Sequence, residues 1–151
     1  MPLHNEPFVV GDELLIFFNA FSRHQEQPCA FGTRSIGVAR LRRDGFAGLT
    51  AADNRPGTFR TRPIVVGGNQ LLVNVEQRGA PGQVQIALQD TDGNELPGFG
   101  WADCVPITDD AVRARVTWKG KTDLQTLKGE TVRVAARLQG GAILYALAFG
   151  P

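Results

Sequence analysis

The sequence predicts an all-β chain: a two-sheet antiparallel β-sandwich, jelly-roll-like, with an extra N-terminal strand pair. Three observations lead there. Gly and Pro, 18 and 9 in 151 residues, are spread along the chain and punctuate short apolar runs, as turn residues do between strands. Several of those runs alternate apolar and polar residues with period two, the mark of a half-buried strand. Only Thr122 to Lys128 has helical character, and then for a turn or two. Many short strands with turns every 8–12 residues or so belong to a sandwich or barrel. The length favours one domain.

The first apolar run is Phe8-Val9-Val10. Gly11-Asp12 follows and then Glu13 to Phe18, which together read as a hairpin. Leu14 to Phe18 is apolar without a break, so both of its faces should be covered. Ser22 to Thr33 is polar and reads as a loop. Ser35 to Arg43 is the next strand, Arg43-Asp44-Gly45 a turn, and Phe46 to Ala51 extended again. Asp53 to Gly57 is a loop. Thr58 to Val66 reads as one or two strands broken at Pro63, which cannot donate to a ladder. Gly67-Gly68-Asn69 turns the chain into Gln70 to Gln77, and Gly79 to Gly82 turns it into Gln83 to Gln89.

That last segment alternates most regularly, with Val84, Ile86 and Leu88 opposed to Gln83, Gln85 and Gln89. Ala111 to Trp118 and Thr131 to Leu138 alternate in the same way. The second places Arg133 and Arg137 opposite Val132, Val134, Ala136 and Leu138. Gly140-Gly141 then leads into Ala142 to Phe149, an apolar final strand. Residues 1–45 are expected to carry the N-terminal strands, packed on a sandwich of residues 46–151.

Charge and cysteine content narrow the function classes. Sixteen basic against fifteen acidic residues leave a net charge of +1, which gives no electrostatic reason to expect nucleic acid or an anionic membrane. Arg40, Arg42 and Arg43 form the only tight basic cluster and read as a solvated strand face. No run of 18 or more apolar residues spans a bilayer. Met1 to Asn5 lacks the apolar core of a secretory signal, so a cytoplasmic location is expected. Cys29 and Cys104 form no CxxC pair, so zinc and redox chemistry are unsupported; whether the two pair with each other stays open. No cofactor is implied.

The order of several motifs resembles the C-terminal part of clan-J-like glycoside hydrolases, the family 32 and 43 type. The first are Val10-Gly11-Asp12-Glu13-Leu14, Ser22-Arg23-His24 and Ile36-Gly37-Val38-Ala39-Arg40-Leu41-Arg42-Arg43-Asp44-Gly45-Phe46. Next come Leu88-Gln89-Asp90-Thr91-Asp92-Gly93, Pro97-Gly98-Phe99 and Ala102-Asp103-Cys104. Val116-Thr117-Trp118-Lys119-Gly120 and Leu144-Tyr145-Ala146-Leu147 complete the series. In such enzymes a five-bladed propeller precedes a β-sandwich. The resemblance implies that the N-terminal strands here correspond to a last propeller blade. It also implies that the family's nucleophile, stabilising acid and general acid, all carried by the propeller, are missing. Arg43-Asp44-Gly45 and Asp103-Cys104 are similar to the Arg-Asp-Pro and Glu-Cys motifs. They depart from them in residue and in domain, and are not carried over as catalytic.

Glycoside hydrolysis uses two carboxyl groups flanking the scissile bond, about 5–5.5 Å apart for retention and about 6.5–9.5 Å for inversion. Asp53, Asp90, Asp92, Glu95, Asp103, Asp109 and Asp110 lie in loops, and sequence alone does not say which converge. Asp90 to Glu95 lacks the offsets of a calcium loop and reads as a hairpin turn. His4 and His24 have no metal-ligand spacing, so no metal site is expected. Trp118 ends an alternating strand on its apolar side and is expected in the core. Trp101 lies in an irregular stretch, where a flat indole suits sugar stacking. Trp101, Asp103, His24 and Arg23 are therefore the candidate carbohydrate-binding residues, and no catalytic residue is assigned.

The expected function is a non-catalytic sandwich module, carbohydrate-binding or structural. The alternative is a small stand-alone glycosidase built from loop carboxylates, with its site assembled from loops of one subunit or across a subunit interface. A homo-oligomer is expected, associating through the N-terminal strands and the apolar Leu14–Phe18 and Ala142–Phe149 surfaces.

Overall fold

The structure, a computed structural model, describes residues 6–21, 34–52, 55–121 and 123–151. It is all-β: the described residues hold eleven strands and one turn of 3-10 helix at Gln125–Leu127. The chain forms two compact units, residues 1–46 and 47–151.

The first unit is a three-stranded antiparallel sheet in the order β1-β2-β3, one strand more than a pair: β1 (Phe8–Val10), β2 (Glu13–Phe21) and β3 (Arg34–Arg42). Gly11 and Asp12 form the two-residue loop between β1 and β2. Gly11 takes a positive φ of 60° there, and Val10 pairs with Glu13 across the loop. Phe17 faces Val38 and Phe18 faces Gly37 in the β2–β3 ladder. Side chains at paired positions share a face. One face therefore carries Phe8, Val10, Leu15, Phe17, Ile36 and Val38; the other carries Val9, Leu14, Ile16 and Phe18. The expectation that both faces of Leu14–Phe18 are covered is corrected. Leu14 is buried, but the Phe17 and Phe18 rings are exposed. A three-stranded sheet has too little surface of its own to fold over its rings. The polar stretch expected as a loop, 22–33, lies outside the described residues.

The second unit is the sandwich. One sheet has β10 (Thr131–Gln139) at its centre, with β8 (Gln83–Gln89) along one edge. The other edge is shared by β5 (Gly57–Arg60) and β6 (Ile64–Val65). The break between β5 and β6 falls where Pro63 predicts it. Thr61 bridges the gap by donating its N–H to Val134 O, while its hydroxyl accepts from Val134 N–H. The second sheet runs β4-β11-β7-β9, from β4 (Leu49–Thr50), β11 (Ala142–Gly150), β7 (Gln70–Gln77) and β9 (Ala111–Arg115). Two elements are shorter than the sequence suggests. Of 46–51, only Leu49 and Thr50 pair. β9 stops at Arg115, after which Val116 N–H reaches Leu71 O and Trp118–Lys121 closes into a tight turn.

The inward residues of both sheets form one core. It includes Leu71, Val73 and Val75 of β7, Val84, Ile86 and Leu88 of β8, and Val132, Val134, Ala136 and Leu138 of β10. Trp118 is buried as expected; its indole N–H donates to Ile86 O at 3.0 Å, and its ring meets Phe99 edge-on at 5.2 Å. No helix among the described residues is long and apolar enough to cross a membrane.

Candidate functional site

Alternation along β10 and β8 sends their polar residues to the outer face of the first sheet. Arg137 lies between Thr58 of β5 and Gln85 of β8, Arg133 opposite Gln89, and Gln139 opposite Gln83. The Gln83 amide donates to Gln139 Oε1 at 2.6 Å. Ala87 and Ala135 pair at the centre of this face, so its floor is made of small side chains. The expected wet face is only partly wet: Ala87, Ala135 and Gln89 are buried. The segment after β8 folds back beside it. Arg133 donates to Thr91 O at 3.0 Å, and the Arg137 guanidinium sits 4.7 Å from the centroid of the Trp101 ring.

The local turns explain why this segment returns. Asp90 Oδ1 accepts the N–H groups of Asp92, Gly93 and Asn94 at 2.8–2.9 Å, and Asn94 Nδ2 donates to Asp90 Oδ2. Asp90 to Glu95 forms the expected hairpin turn, with Gln89 bridged to Glu95. Residues 94–99 then run back along β8, with Leu96 N–H to Leu88 O and Leu88 N–H to Phe99 O. Phe99 enters the core and a tight turn over Gly100–Asp103 carries Trp101. Glu95 fixes that turn by accepting the Trp101 backbone N–H at 3.2 Å.

The side-chain hydrogen bond from Asn94, with the turn N–H groups, holds the Asp90 carboxyl below its ordinary range. A depressed carboxyl stabilises the fold above its unfolded pKa and loses that contribution as pH falls through the folded value. Asp90→Ala is therefore expected to lower Tm at neutral pH. The gap to wild type should narrow once pH drops below about 4. Thermal melts of both proteins from neutral to acid pH check this.

Of the four candidate contacts, Arg23 and His24 lie outside the described residues, as does Cys29. Trp101 is half-buried, with Arg137 over its ring. Asp103 is in the same turn; its carbonyl accepts Lys119 N–H at 2.7 Å, and its carboxylate has no partner among the described residues. The structure adds Arg137, Gln85 and Gln89, which sequence reasoning did not single out. The Arg137 side chain makes no hydrogen bond to any described residue. Gln89, farther along β8 opposite Arg133, is 7% exposed and its Oε1 has no donor among the described residues. The only hint in the sequence was the outward phase of these positions.

Several of the described carboxylates are committed elsewhere. Glu76 accepts from the Tyr145 hydroxyl and from Arg78, Asp110 accepts from Gln77 N–H, and Asp123 from Gln125 N–H. No group of three or more His, Cys, Asp or Glu among the described residues is placed to hold a metal. Cys104 is a buried free thiol; burial pushes its pKa up, against the Ile86 N–H that donates to its sulfur. A separate groove of about 360 Å³ opens beside β11, lined by Leu49, Phe59, Leu144, Tyr145, Leu147 and small residues; no carboxylate lines it. Compared with protein-family models, curated proteins and solved structures, the chain finds no match.

Proposed function

We propose that this chain is a non-catalytic β-sandwich module of a glycoside-hydrolase-like protein, and that it binds carbohydrate on the outer face of β5–β10–β8. The observation that carries the reading is Arg137. Its guanidinium is held over an indole beside Gln85, and its donors meet no acceptor among the described residues. A planar fork of donors suits the vicinal hydroxyls or carboxylate of a sugar, and the indole fixes its orientation by a cation–π contact. The motif resemblance points to the same ligand class.

The hydrolase reading has one feature to build on: Glu95 and Asp103 lie on either side of Trp101 in sequence. Glu95, however, is committed to the Trp101 main chain. Two experiments decide. Native gels containing polysaccharides should retard the protein, and Arg137→Met should weaken retention about tenfold, ~1.4 kcal/mol. A panel of nitrophenyl glycosides should give no turnover. Turnover abolished by Glu95→Gln or Asp103→Asn would replace the binding reading with the hydrolase one.

A further inference from the structure

The β1–β3 sheet presents an apolar face to solvent. Phe8 is 56% exposed, Val10 57%, Phe17 39%, Ile36 76% and Val38 46%, and all five lie on one face. Phe8 and Phe17 pack edge-on at 6.0 Å, which makes the patch continuous across β1 and β2. We propose that this face is the contact between two copies of the chain, packed sheet to sheet about a two-fold axis.

The area argues for a second copy. An aromatic side chain buries roughly 150–250 Å², so the exposed parts of Phe8 and Phe17 together leave about one ring's worth. A fully buried Val or Ile is worth roughly 60–120 Å², taking 1.5–3 kcal/mol at about 25 cal/mol per Å². The five residues therefore offer on the order of 300–400 Å² of apolar surface per copy. Doubled, and taken as about 60% of a mixed interface, this comes to roughly 1,000–1,300 Å². Specific dimers begin near that size.

Charge argues the same way. Glu13, Arg40 and Arg42 lie on this face, with Glu13 and Arg40 an exposed pair, Arg40 Nη1 to Glu13 Oε2 at 3.2 Å. A surface carrying both signs can meet its own copy with opposite charges opposed, as a self-complementary two-fold contact requires. The inference does not rest on sugar binding, which concerns the other unit.

Sedimentation velocity of the whole chain between about 1 and 100 µM tests it, since an interface near the lower size limit fits micromolar affinity. The expected result is a monomer–dimer equilibrium that Ile36→Glu shifts at least about tenfold toward monomer, ~1.4 kcal/mol. Ile36 is highly exposed, so this variant retains the fold; circular dichroism verifies that. Glu13→Arg and Arg40→Glu should each weaken the dimer alone, and an equimolar mixture of the two should restore it. A monomer throughout the range, a dimer indifferent to Ile36→Glu, or no recovery in the mixture would overturn the proposal.

Discussion

Trp118→Ala is expected to destabilise the sandwich by about 3–5 kcal/mol, the range for removing a buried aromatic. The ring is almost wholly buried between the sheets and meets Phe99 edge-on. Its loss leaves a cavity and also removes the donor to Ile86 O. The backbone at Ile86 is unusual, because its N–H is met by the sulfur of Cys104. With both ligands of one β8 residue coming from side chains, loss of Trp118 should loosen the 100–104 turn that carries Trp101. Chemical denaturation should show the stability loss, with Tm falling on the order of 10–20 °C. Trp118→Phe, which keeps most of the volume, should cost distinctly less. A Trp118→Ala protein as stable as wild type would remove the indole from the centre of the core.

Gly140→Ala is expected to have the second-largest effect. Gly140 sits in the hairpin between β10 and β11 with φ of 61°, and a Cβ there would run into the backbone of Pro81 and Gly82. Gly120 also has a positive φ, 73°, in the turn after Trp118, but a Cβ there meets open space. Gly120→Ala should therefore cost only the dihedral term, about 1–2 kcal/mol. Gly140→Ala should exceed it, because two backbone segments must also move apart. Urea titrations of the two variants compare them directly, and equal losses would contradict the crowding argument.

Much of this fold was legible in the sequence because burial alternates with the pleat. Val84, Ile86 and Leu88 are inward as their spacing predicts, as are Val132, Val134, Ala136 and Leu138. Pro63 marks the β5–β6 break, and Gly11-Asp12 the first hairpin. What failed depends on contacts distant in sequence. Phe17 and Phe18 are apolar but exposed, since a run of hydrophobic residues states a need for cover without naming a layer to supply it. Gln89 reads as a wet-face residue, yet it is buried. Tyr145 falls at an irregularity in the β11–β7 register that no periodicity encodes, and its hydroxyl reaches Glu76.

The candidate site was half visible for the same reason. Trp101 was identifiable as an aromatic in an irregular stretch. The arginine above it was not, because Arg137 is 36 positions away and is brought there only when the Asp90 turn sends residues 94–103 back along β8. Alternation showed that Arg137 points outward, but not what crosses above it.

The central claim is that this outer sheet face receives a sugar. An NMR titration of the isotope-labelled chain, with the polysaccharide fragment that retards it best, tests the claim most directly. The account predicts shifts at the Trp101 indole N–H, Arg137 Nε–H and the Gln85 amide, with Trp118 unmoved. Shifts confined to other residues, or none at saturating ligand, would contradict it.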